Sequence, residues 1–118
     1  MPAAKLDLPP IEKGATYRQV LLWKDPGNVA INLTGCAARM QVRETLTATA
    51  ALLELSTGNL GLLITPELGK IELYITAQAT TLLPGLGGVY DLEVHLANSD
   101  VVRLIEGKIP FKDQVTHD

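Results

Sequence analysis

The chain has one cysteine, 4% aromatic residues and no clustered basic residues, and each shortage removes a class of protein. A lone thiol, Cys36, forms no internal disulfide and suits a reducing cytosol. Scarce aromatics leave the core to Leu, Ile, Val and Ala. Ten Lys and Arg residues, scattered among thirteen Asp and Glu for a net charge of −3, do not make a nucleic-acid surface, which needs clustered cations. Apolar runs fall far short of the ~20 residues that span a bilayer, and Met1-Pro-Ala-Ala-Lys-Leu-Asp lacks the charged start and apolar core of a secretory signal. The expectation is a soluble chain made in the cytoplasm, with no nucleic acid and no membrane among its partners. Internal repeats are absent beyond a few residues, and so is the strand–helix alternation of a parallel sheet.

What is present is alternation. Tyr90, Leu92, Val94 and Leu96 interleave with Asp91, Glu93 and His95, the period-2 pattern of a strand with one dry face. The Ala97-Asn98-Ser99-Asp100 tip tolerates a tight turn, and Val101 to Phe111 returns as a second strand. Lys70 to Ile75 alternates as cleanly, with Ile71, Leu73 and Ile75 inward. Cys36 to Arg43 places Cys36, Ala38, Met40 and Val42 on one face and Arg39, Gln41 and Arg43 on the other. Further strands are expected at Ala15–Trp23, Val29–Leu33, Ala51–Leu55 and Leu60–Thr65. Between them, Pro26-Gly27 predicts a type II turn with Gly27 at positive φ, and Thr76 to Leu83 suits one or two helical turns with Thr76 as N-cap. Gly85-Leu86-Gly87-Gly88 precedes a strand, so it reads as a flexible lead and not as a phosphate cradle.

These elements predict an all-β fold, an antiparallel β-sandwich of about seven or eight strands with a short helical turn near 76–83. At 118 residues one domain is expected over 14–112. It is flanked by an extended N-terminal arm at 1–13, carrying Pro2, Pro9 and Pro10, and a tail at 113–118. The arm reads either as a loose terminus or as a segment docking its apolar teeth, Leu6, Leu8 and Ile11, on a neighbouring subunit. With Phe111 near the tail and the Arg39/Arg43 pair, whose partners are expected to be carboxylates of an adjacent strand or subunit, these are the candidate subunit contacts.

Chemistry is sparse. Asp91, Glu93 and His95 share a strand face, but neighbours there lie roughly 7 Å apart and do not converge on an ion with bonds near ~2.1 Å; a solvated face is the better reading. Cys36 lies on the apolar face, which suits a structural thiol. No nucleophile, base and oxyanion donor assemble. No catalytic residue, metal or cofactor is therefore expected.

Gly14-Ala-Thr-Tyr-Arg18, Trp23-Lys-Asp-Pro-Gly27, Ile31-Asn-Leu-Thr-Gly35, Ala38-Arg-Met-Gln-Val-Arg43, Gly69-Lys-Ile-Glu-Leu73, Val89-Tyr-Asp-Leu-Glu-Val94 and Val102-Arg-Leu-Ile-Glu-Gly107 follow one another in an order that resembles the N-terminal, immunoglobulin-like domain of baseplate upper proteins of tailed bacteriophages. The resemblance covers residues 14–116. It implies an immunoglobulin-like sandwich serving as a structural virion protein, an assembly or adaptor module at the tail, baseplate or fibre attachment. Its partners would be other phage structural proteins and copies of itself. A carbohydrate- or peptide-binding module is the alternative, discriminated by exposed aromatics converging on one face; a head–tail or capsid-decorating protein is a third possibility.

Overall fold

The computed structural model describes residues 3–115, and the chain within them builds two packed sheets. Strands run in the order β1 Ala4–Lys5, β2 Ile11–Glu12, β3 Tyr17–Leu22, β4 Ala37–Arg43, β5 Leu53–Ser56, β6 Leu62–Thr65, β7 Lys70–Ile75, β8 Gly87–His95 and β9 Val101–Lys112, with helix α1 at Ala77–Thr81 between β7 and β8. The larger sheet has the order β1-β9-β8-β4-β5, with β2 also on β9; the smaller is β3-β7-β6. Two such sheets packed face to face make an all-β sandwich.

The alternating segments fold as their pattern dictates. Ala38, Met40 and Val42 on β4, Tyr90, Leu92 and Val94 on β8, and Ile71, Leu73 and Ile75 on β7 are all buried, facing each other across the sandwich. The hairpin β8–β9 pairs antiparallel from Gly87↔Pro110 to His95↔Val101, with a bulge beside Leu92/Glu93. That extra residue allows two consecutive β9 side chains, Leu104 and Ile105, to be buried. Helix α1 starts where expected, because the Thr76 hydroxyl accepts from the Ala79 amide at 3.1 Å. Thr80 is completely buried, and its hydroxyl accepts from the Gly14 amide and donates to the Ala15 carbonyl, tying the helix to the turn before β3.

The arm departs most from expectation. Instead of hanging loose or reaching a neighbour, it runs parallel to β9 of its own chain: Ala4 and Lys5 pair with Ile105 and Glu106, Ile11 and Glu12 with Phe111 and Lys112. The amides of Leu6, Leu8 and Lys13 donate to Glu106, Lys108 and Lys112 carbonyls, each at 2.9 Å. Leu8 (4% exposed), Ile11 (0%) and Phe111 (3%) lie in the core, so these three are intramolecular contacts; Leu6 remains 42% exposed. Pro9 and Pro10 fall between β1 and β2, where a missing N–H breaks no ladder bond. The sandwich therefore begins at Ala4 and not at Gly14. Of the 113–118 tail, Asp113 pairs with the Lys13 ammonium at 2.8 Å; residues 116–118 lie outside the described residues.

Three smaller expectations also give way. Val29–Leu33 makes only a single bridge, Lys24↔Ala30, because the tight Asp25–Asn28 turn leaves little chain to pair. In that turn the left-handed residue is Asn28 (φ 65) and not Gly27; the Asp25 carboxylate takes the Val29 amide at 3.0 Å and holds the reversal. Gly87 and Gly88 are not a flexible lead: both belong to β8, where a methyl group on Gly88 would collide with the Arg43 carbonyl oxygen. That close approach, not mobility, requires the glycine.

Candidate docking surface

A sandwich of this kind has lateral edges, and each leaves unpaired backbone groups unless something covers them. The arm covers the β9 edge, fixed by two tyrosines whose rings are buried in the core. Tyr90 donates its hydroxyl hydrogen to the Leu6 carbonyl, and Tyr17 donates to the Pro9 carbonyl at 2.9 Å. Burial raises the Tyr17 phenol from its ordinary value to about 12. Tyr90 is raised as well, by burial first and then by the negative charge of Asp7 and by Tyr17. Gly107 completes the fit, since a methyl group there would collide with the Leu6 carbonyl oxygen. Tyrosines at 17 and 90 were legible as large anchors, but their partners lie on a segment that sequence alone leaves unplaced.

At the opposite end of the same sheet, β5 is four residues long and its outer side is engaged by a carboxamide. Asn59 donates to the Glu54 carbonyl at 3.0 Å and accepts from the Ser56 amide at 2.9 Å. One side chain thus takes the place of a neighbouring strand.

The β3 edge is different. Trp23 donates to the Gly69 carbonyl, and pairing runs from Tyr17↔Ile75 to Leu22↔Lys70. Ladder bonds alternate along an antiparallel pair, so Tyr17, Gln19 and Leu21 turn their backbone groups toward β7, while the Trp23 carbonyl accepts from the Ile31 amide. Those of Arg18, Val20 and Leu22 point away, with no strand beyond them among the described residues. Val20 is 45% and Leu22 56% exposed. Between this edge and the arm the two sheets gape into a cleft of about 440 Å³, lined by Leu6, Leu21, Leu22, Trp23, Ile71, Leu104 and Ile105, with Ala4 and Lys24 at its rim. All but one of these residues are apolar, and the exception is a cation. Of the arm's three apolar teeth, Leu6 alone lines this cleft.

The outer face of the larger sheet carries the remaining polar candidates. Arg39 pairs with Glu54 at 3.1 Å, Gln41 donates to the same carboxylate at 3.0 Å, and Arg43 donates to Gln41 and to the Ala48 carbonyl. The Gln41 hydrogen bond, followed by that of Arg39, holds the Glu54 carboxyl below its usual range. Arg39 and Arg43 are thus engaged within their own sheet. Arg103 meets Asp91 and His95 meets Glu93, each at 3.4 Å. A second cleft of about 480 Å³ opens on this face between Lys5, Arg43, Asp91 and Lys108, its charges of both signs already interleaved. Cys36 packs half-buried against the core.

The aromatics do not form a platform. Tyr17, Tyr90 and Phe111 are buried, Trp23 is half-buried against the core, and Tyr74 is half-buried with the Arg18 guanidinium 4.5 Å above its ring. Neither protein-family models nor curated protein sequences match the chain.

Proposed function

We propose that this chain is a structural assembly module of a tailed-bacteriophage particle, an adaptor at the tail, baseplate or fibre attachment that works by surface burial and not by catalysis. One observation carries the reading: an apolar cleft lined by Leu6, Leu21, Leu22 and Trp23 opens beside the β3 edge, where Val20 and Leu22 are exposed and a partner can cover them. Isolated exposed leucines need no explanation, but an apolar cleft beside unpaired backbone marks an interaction site. The resemblance of its motif order to baseplate upper-protein domains supplies the particle context, and the buried aromatics speak against the carbohydrate-binding alternative.

The arm's part in assembly changes accordingly. It does not reach a neighbour; it shapes one wall of the cleft through Leu6. The test is particle composition. Purified particles from cells carrying the gene should contain the chain in fixed copy number by quantitative mass spectrometry, and Leu22→Glu should deplete it without unfolding the isolated protein. Particles that lack the wild-type chain would sink the proposal.

A further inference from the structure

We infer that the β3 edge accepts an extended segment of a partner protein as an added strand, one with apolar side chains at alternate positions and carboxylates near the Lys24 end; this deepens the assembly reading and rests on it.

Three observations lead there. The β9 edge is closed by the arm and the β5 edge by Asn59; of the smaller sheet's two edges, β6 is four residues long and runs straight into Pro66, while six-residue β3 carries neither proline, acidic side chain nor, among the described residues, a covering segment. Edges of this kind pair with other chains unless they are protected, and strand addition uses the backbone groups that Arg18, Val20 and Leu22 turn outward. The apolar cleft lies directly behind that edge, so alternate side chains of an added strand would point into it while the others face solvent.

Charge selects the occupant. Arg18, Lys24 and Lys70 flank the edge, and none forms an ion pair among the described residues; Lys24 is the only charged residue lining the cleft. Glu72 faces Val20 across the β3–β7 pair and Asp25 follows Lys24, so the positive character is confined to the cleft itself, where Lys24 is the one charge among the described residues. A second copy brings no acidic side chain on its β3 to that lysine, whereas an acidic strand does.

The probes are an acetylated nonapeptide of alternating threonine and valine closed by two aspartates, and its twin closed by two lysines. Amide chemical shifts of the full chain should move at residues 18–24 with the acidic peptide and far less with the basic one. Val20→Pro removes a donor from the free side alone, sparing every bond to β7, and should weaken binding at least tenfold; Leu22→Glu, which sets a carboxylate in the cleft lining, serves if the proline variant does not fold. Lys24→Glu should invert the preference between the twins.

No shifts at millimolar peptide, shifts centred elsewhere, or equal binding of the twins overturns the inference. So does a wild-type dimer that Val20→Pro or Leu22→Glu returns to monomer, since a second copy would then hold the edge. The assembly reading is read out separately, by the wild-type chain in purified particles. Normal incorporation of a folded Val20 variant overturns strand addition and leaves that reading standing.

Discussion

Two edges of this sandwich are built from similar material and meet opposite fates. Along β9, the segment from Ala4 to Lys13 supplies backbone donors to Glu106, Lys108 and Lys112, two tyrosine hydroxyls secure it, and Leu8 and Ile11 sink into the core. Along β3, Val20 and Leu22 stand exposed beside outward-turned backbone groups. Covering one edge fixes the fold. Leaving the other open, with an apolar cleft behind it, gives the molecule a place to bind. An N-terminal segment that could have paired with β3 instead joins the opposite sheet, and the gap between the sheets on that side is the consequence.

The comparison breaks most severely if the arm is removed. Deleting residues 1–12 takes two fully or nearly buried side chains out of the core and uncovers β9. Ile11→Ala alone should cost about 2–5 kcal/mol, the range for truncating a buried aliphatic side chain, measured by urea denaturation. If the deletion leaves the denaturation midpoint unchanged, the arm is not part of the domain.

A smaller effect is expected at the clamps. Tyr17→Phe and Tyr90→Phe each leave a carbonyl of the arm without its donor, which should lower stability by about 1–3 kcal/mol apiece, while Val20→Lys on the open edge should stay within about 0.5 kcal/mol. Equal losses at Tyr17 and Val20 would erase the distinction between the edges.

Smaller again is the alkaline response. Tyr17 is raised from 10.0 to about 12 in the folded chain, so its contribution is fully present below pH 10 and is lost as the pH climbs from 10 toward 12, because the unfolded phenol releases its proton first. Denaturation midpoints should fall across that window, and less steeply in Tyr17→Phe. The smallest change is Arg39→Ala on the far face, an exposed and solvent-screened pair that contributes little to stability, with the apparent carboxylate titration of Glu54 by NMR rising toward its ordinary value.

Legibility followed the same divide. Period-2 patterning placed β4, β7 and β8 and their inward faces, because each buries one face against an aliphatic core and a one-residue slip would invert it. The Thr76 cap was readable for the same local reason. The arm was not: its two-residue strands are too short to show a period, and its prolines argued for a loose segment, whereas Pro9 and Pro10 only restrict where ladder bonds fall. Its true signals, Gly107 opposite Tyr90 and the two phenols, become meaningful only once β9 and the arm lie side by side. The docking edge was equally hidden. Val20 and Leu22 read as ordinary strand residues, and an open edge is defined by which strand fails to arrive. Arg39 and Arg43 were correctly placed on one face with Gln41, and of the two sources expected for their carboxylates, an adjacent strand or a subunit, the adjacent strand supplies Glu54 to Arg39; the Ala48 carbonyl that takes Arg43 was not foreseen.

Amide hydrogen exchange of the isolated full chain, resolved residue by residue, tests the contrast most directly. Leu6 and Leu8 should exchange slowly, as donors in a parallel ladder, while Arg18, Val20 and Leu22 exchange orders of magnitude faster than Leu21 and Leu73 in the same sheet. Rapid exchange at Leu6 and Leu8 together with protection at Val20 would contradict the assignment of a closed edge to β9 and an open one to β3.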